Sequence, residues 1–276
     1  MQRPRHLPSR DRLSVLTAVI LLAYALARAL DLPTRAVGTT LLGSALGFEL
    51  NGSVLMLLLV AALISAGSDT LIRSHPRLEG WRDYPTVVHW IVPGATALAL
   101  GNVLNRTPDG PLWWLGLGLS AVALIAVLVA EYTVVDRDDA AWDVAALGLT
   151  ALTYALALVL FALLHSLSAR ALISASAAGL IAAALAVRLF ALKAAPIGQA
   201  ALYAAVVGVI TAEAMWAINY WRVPAGSAAL LALIPFYLSV GVAQQHLVGR
   251  LTRRIWIEYL VVGALGLGIG LVNSLR

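Results

Sequence analysis

Glu213 stands inside a long apolar run, and Trp216, Asn219 and Tyr220 follow it at helical spacing on a related face. A carboxylate in that setting can carry a proton or contact a cation. It can also bend outward and bond an arginine at the membrane rim. His89 and His165 are the histidines set within apolar runs. A lone imidazole more often completes a hydrogen bond than binds a ligand. No His-x-x-x-His or Glu-x-x-His pair exists, so spacing argues no metal site. Gln244, Gln245 and His246 close a further run, and Arg250, Arg253 and Arg254 follow. That basic group suits an anionic lipid headgroup or a phosphate, and it also suits plain topology. Glu213, Asn219, Tyr220, His89, Gln244 and Gln245 are therefore the candidates for a ligand or ion pathway.

The densest acidic cluster runs Asp136-Arg137-Asp138-Asp139-Ala-Ala-Trp142-Asp143, with Glu131 just upstream. Closely spaced carboxylates can hold Mg²⁺ on a diphosphate, or cap the N-terminus of the next helix. The cluster resembles the first aspartate-rich motif of the UbiA-type intramembrane prenyltransferases, and that resemblance implies Mg²⁺ ligands at Asp136, Asp139 and Asp143. The motif follows the fourth apolar span here and the second in that family. Val135 stands where the family has asparagine, and no aspartate occurs after Asp143 to form a second motif. Lys193, the sole lysine, lies at a span end and is badly placed for a retinal Schiff base.

These residues sit in a chain of 276 residues that is 61% hydrophobic and 12% charged. Soluble domains are about 25% charged and about 45–50% apolar. Nine runs are long enough to cross a bilayer as helices: 13–30, 54–72, 86–104, 111–134, 142–167, 171–192, 196–216, 227–248 and 255–275. The expected fold is an all-α, polytopic transmembrane helix bundle forming a single domain over 1–276. Continuous apolar runs exclude a β-barrel. The absence of cysteine excludes disulfides and thiolate chemistry. Pro93 and Pro235 are expected to kink their spans. The stretch 33–50 is too polar and short to span and reads as an interfacial or re-entrant piece.

Placing the basic tail 1–12 in the cytoplasm puts thirteen of the nineteen Lys and Arg residues inside, which predicts nine spans with the N-terminus in and the C-terminus out. Tryptophans cluster near the span ends as an aromatic belt. The first span also has the features of a signal peptide, with Ala27-Arg28-Ala29 as a small-x-small site.

Two echoes recur along the chain. Arg106-Thr-Pro-Asp-Gly110 matches Arg222-Val-Pro-Ala-Gly226, and Ala146-Leu-Gly-Leu149 matches Ala264-Leu-Gly-Leu267. Read as duplication, they pair 54–169 with 170–276 as a parallel 4+4 repeat after a first helix; read plainly, they are a good turn and a tetrapeptide common in such a composition.

The phrases His89-Trp-Ile-Val-Pro93-Gly94, Ala130-Glu-Tyr-Thr-Val-Val-Asp136 and Ala243-Gln-Gln-His-Leu-Val-Gly-Arg250 resemble an uncharacterised family of bacterial multi-pass membrane proteins. That resemblance implies membrane topology and no activity. The leading expectation is a transporter or membrane-embedded solute- or lipid-binding protein of the inner membrane. The alternatives are a structural or assembly subunit of a larger membrane complex and a Mg²⁺-dependent prenyltransferase-like enzyme. The expected partners are the lipid bilayer, an anionic lipid or small solute, and other membrane subunits. No cofactor and no nucleic acid are expected.

Overall fold

The computed structural model describes residues 7–29, 35–41, 44–50, 52–81, 84–167, 170–193, 196–249, 252, 257–261, 263–264 and 268. The chain is a polytopic transmembrane helix bundle. Among the described residues eight helices are long and apolar enough to cross a membrane, one of them counted with the 3-10 turn that precedes it. They are α1 (Arg10–Ala29), α2 (Gly52–Arg73), α3 (Ile91–Arg106), α4 (Pro111–Thr133), α5 (Trp142–Ser166), α6 (Ala171–Leu192), α7 (Ile197–Ile218) and α8 (Ala225–Leu247). The expected ninth span lies largely outside the described residues, although 257–261 are helical.

The stretch between α1 and α2 is not helical. Strands β1 (Arg35–Leu41) and β2 (Ser44–Leu50) pair antiparallel, from Arg35 opposite Leu50 to Leu41 opposite Ser44. Val37, Thr39, Thr40 and Phe48 favour strand, and the connection is only two residues long.

The chain divides into two compact units, Met1–Leu149 and Thr150–Arg276, with the boundary inside α5. Unit 1 is built on a core of Ile20, Tyr24, Val60, Ile64, Ala97, Leu104, Leu124 and Leu128. Lipid tails are as apolar as these side chains, so helix association there relies on close packing and interhelical hydrogen bonds. The Tyr24 hydroxyl donates to Ala97 O at 2.6 Å, and its ring lies over Gly101. Arg28, at the end of α1, donates to the carbonyls of Asn105 and Thr107 and to Asp109, clasping the α3–α4 connection. The expected small-x-small site is thus part of a packed helix, with Ala27 buried. Gly110 takes a φ of 132°, and Pro111 then opens α4 at a position whose N–H has no helical partner.

Unit 2 uses smaller residues. A methyl group on Gly208 would come within 2.7 Å of Gly179 O, and one on Gly179 within 2.9 Å of Gly208 O. Backbones of α6 and α7 therefore touch directly, flanked by Ala183 and Ala212. Phe161, Phe236 and Tyr154 form an aromatic group between α5 and α8. Pro235 lies inside α8 as expected, and the Ser239 hydroxyl donates to its carbonyl at 2.6 Å.

Candidate functional site

In unit 1 the polar groups collect where α2 ends, α3 begins and α4 ends. Pro93 contributes by starting a helix and not by kinking one. The expected third span is divided into a 3-10 turn (Thr86–His89) and α3, and Pro93 falls in the first turn of α3, where a missing N–H breaks no bond. This break leaves His89 on the short turn, facing α4.

His89 Nδ1 lies 2.8 Å from Glu131 Oε2, with side chains only 3% and 1% exposed. On the other side of the ring, the Tyr84 hydroxyl lies 3.2 Å from His89 Nε2. The Tyr84 and His89 rings are stacked at 5.9 Å, and Trp81 extends the stack at 6.2 Å from Tyr84. One neutral tautomer satisfies both hydrogen bonds. The carboxylate accepts from Nδ1–H, and Nε2 accepts from the Tyr84 hydroxyl. Hydroxyl, imidazole and buried carboxylate thus form a continuous chain.

A second cluster lies beside the first. Asp69 accepts hydrogen bonds from the Thr86 hydroxyl and from Arg73 Nε, the latter at 2.8 Å, while Arg73 Nη2 donates to Thr86 Oγ1 at 3.1 Å. Both clusters border one cavity of about 340 Å³, lined by Arg73, Leu78, Gly80, Trp81, Tyr84 and Thr86. The arrangement offers hydrogen-bond donors, aromatic faces and a path for a proton from the cavity wall to Glu131.

The acidic cluster closes the same end of the unit but does not assemble as a metal site. Asp136 Oδ1 accepts from Asp138 N at 3.1 Å, and Asp139 Oδ1 accepts from Ala141 N at 2.8 Å. Arg77 reaches Asp136 at 3.8 Å and Asp138 at 3.6 Å, tying the α2–α3 connection to the α4–α5 turn. Asp136 and Asp139 are buried, whereas Asp143 is exposed in the first turn of α5. Among the described residues no group of three or more His, Asp or Glu side chains can hold a metal ion. The three aspartates of the expected Mg²⁺ set, Asp136, Asp139 and Asp143, are held in different ways. Turn N–H groups engage Asp136 and Asp139, Arg77 adds to Asp136, and Asp143 stands apart in the exposed turn.

The other sequence candidates fall in unit 2 and are not brought together. Glu213 is exposed on the side of α7 away from Thr211 and Met215, and lines none of the described cavities. It is little more than one turn from the helix end, near enough to reach polar surroundings. Tyr220 is also exposed. Asn219 donates to Ser174 Oγ at 2.7 Å, and Gln244 donates to Leu189 O at 3.3 Å, each fastening a helix to α6. Gln245 is half-buried near the end of α8. His165 donates from Nε2 to Val223 O at 3.1 Å. Arg250, Arg253 and Arg254 lie outside the described residues.

Sequence reasoning passed over Glu131 and Tyr84. A signal for Glu131 was present: His89 stands near the start of the third expected span and Glu131 near the end of the fourth. Two antiparallel neighbours bring such positions to one depth. Tyr84 precedes the apolar run and carried no comparable signal.

A family described as "Protein of unknown function (DUF5656)" matches residues 32–273, and the chain belongs to it. The matched stretch excludes α1. No curated protein and no solved structure matches the chain.

Proposed function

We propose that this member of the DUF5656 family is a membrane-embedded carrier or binding protein for a small polar solute or lipid headgroup, which it takes into the unit 1 cavity. Ligand binding is linked to proton movement along Tyr84, His89 and Glu131. The observation that carries this reading is the His89–Glu131 pair, buried and joined through Tyr84 to a cavity wall. An apolar pair of similar volume is commonly as stable as a buried ionisable pair, or more so. Stability alone therefore gives no reason to keep this one. An acidic ligand atom at the cavity wall passes its proton through the Tyr84 hydroxyl to Nε2, and Glu131 stabilises the resulting imidazolium through Nδ1–H. The positive-inside bias supports a cavity mouth on the cytoplasmic side of the membrane.

The second reading, a structural subunit of a larger membrane complex, is favoured by unit 2. There Asn219, Gln244 and His165 spend their donors on helix-to-helix bonds and Glu213 faces outward.

Melting temperatures in detergent separate the two readings. The probes are small carboxylates, inorganic phosphate, amines and amino acids, tested between about pH 5 and 8, where histidine ordinarily titrates. The carrier reading expects one class to raise the melting temperature in a pH-dependent manner, and Tyr84→Phe and Glu131→Gln to remove that pH dependence. No shift with any class, or a shift unchanged in Glu131→Gln, contradicts it.

A further inference from the structure

Unit 2 contains a cavity of different character, a groove of about 600 Å³ along α7 and α8. Val207 and Ala243 are buried at its floor, and Val206, Ile210, Leu238 and Val242 form apolar walls. Its uncommitted polar groups lie at one end, where the rings of Tyr203 and His246 are 5.7 Å apart. Ser239 also lines the groove, but its hydroxyl is committed to Pro235 O. Among the described residues neither the Tyr203 hydroxyl nor the His246 ring makes a hydrogen bond. Lys193, exposed just after α6, is a cation at the same end of the unit, because α6 finishes where α7 begins.

The dimensions select the occupant. The eleven helical steps from Pro235 to His246 cover about 16 Å, and about 30 Å of hydrocarbon separates the two faces of a bilayer. The groove is thus one leaflet deep, apolar along its length and polar at the end that meets the headgroups. A helix from another chain crossing the membrane needs an apolar trough about twice as long.

We infer that the α7–α8 groove holds one acyl chain of a glycerophospholipid, with the phosphate accepting hydrogen bonds from Tyr203 and His246. The nearby lysine favours an anionic headgroup.

The full chain in nanodiscs, with phosphatidylglycerol or phosphatidylcholine carrying a diazirine on the acyl chain, tests this. Photolabelled residues are mapped by mass spectrometry. Labelling should concentrate at 206–210 and 238–242, several-fold above Leu119 and Val122, which are exposed on α4 and line none of the described cavities. It should be stronger with phosphatidylglycerol. Val206→Trp fills the groove and should cut labelling there about tenfold, the effect of about 1.4 kcal/mol, while labelling of α4 and the melting temperature hold. Tyr203→Phe combined with His246→Gln should remove the headgroup preference and keep the chain labelling. Equal labelling of α4 and the groove overturns the proposal, as does labelling unchanged by Val206→Trp. A wild-type groove that crosslinks to a peptide of this chain, or of a second copy, in place of lipid also overturns it.

Discussion

The two compact units solve the problem of holding apolar helices together by different chemistry. Unit 1 buries ionisable side chains: Glu131 and His89 at its heart, with Asp136 and Asp139 at its rim. Unit 2 also buries an ionisable side chain, Arg188 of α6, but its α6 and α7 meet through backbone contact at Gly179 and Gly208, and amide and imidazole donors tie its helix ends. Interhelical hydrogen bonds of the second kind average about 0.6 kcal/mol in membranes, so they fasten without great cost if lost. A buried pair such as His89–Glu131 is demanding, because removing either partner leaves a buried bond of the other unmade. Through Tyr84 the first arrangement reaches a cavity with polar lining, whereas unit 2 carries an apolar groove along α7 and α8.

The turn echoes give this comparison a common frame. Thr107 and Val223 are equivalent positions in the two echoes, and the carbonyl of each accepts from a side chain in the last turn of the helix that opens its series: Arg28 of α1 for Thr107 and His165 of α5 for Val223. The helices after the turns begin differently, α4 at Pro111 and α8 at Ala225, two residues earlier by the echo. Asp109 takes Arg28 in one turn, and Ala225 stands at its place in the other.

The largest effect should come from unit 1. His89→Ala leaves the Glu131 carboxylate buried without its imidazole, and should cost about 3–5 kcal/mol in reversible unfolding in detergent micelles. A loss under about 1 kcal/mol would place the pair in water, against its burial. Next comes Gly208→Ala in unit 2. Its Cβ meets a backbone oxygen that cannot rotate away, so a loss of about 1–3 kcal/mol is expected in the same assay. An unchanged midpoint would show that α6 and α7 separate freely. The smallest effect belongs to Asp109→Ala. Asp109 is 86% exposed, and its ion pair with Arg28 should contribute under about 1 kcal/mol, with the two carbonyl contacts of Arg28 retained. A larger loss would mean that unit 1 depends on an ionic clasp that unit 2 lacks.

Membrane helices were the most legible part of the fold. Apolar runs of bilayer length located α1 to α8 within a few residues, because nothing else explains such runs. The hairpin at 35–50 was not legible, since Gly43, Gly47 and the threonines signal only that the segment is no span. The faces of the helices were illegible for a physical reason. A helix apolar all around, as in α7, has no periodicity to say which side meets protein and which meets lipid. Glu213 was therefore expected at a cavity and lies on the outside. Glu131 is the same residue type, closer still to its helix end, and lies inside. What separates them is the partner across the helix interface, since His89 faces Glu131 and no described group pairs with Glu213. The acidic cluster was legible as a dense motif, but its use in turn N–H bonds depends on backbone geometry that spacing does not encode.

The central claim is that His89 and Glu131 are kept for their protons and not for their packing. The direct measurement replaces both at once, His89→Leu with Glu131→Leu, and follows melting temperature and pH-dependent ligand-induced stabilisation together. The account predicts that the double variant regains most of the stability lost in His89→Ala, because an apolar pair strands no charge, while its pH-dependent ligand response stays absent. A double variant that recovers stability and also responds to ligand with the wild-type pH dependence would contradict the account and leave the pair as packing alone.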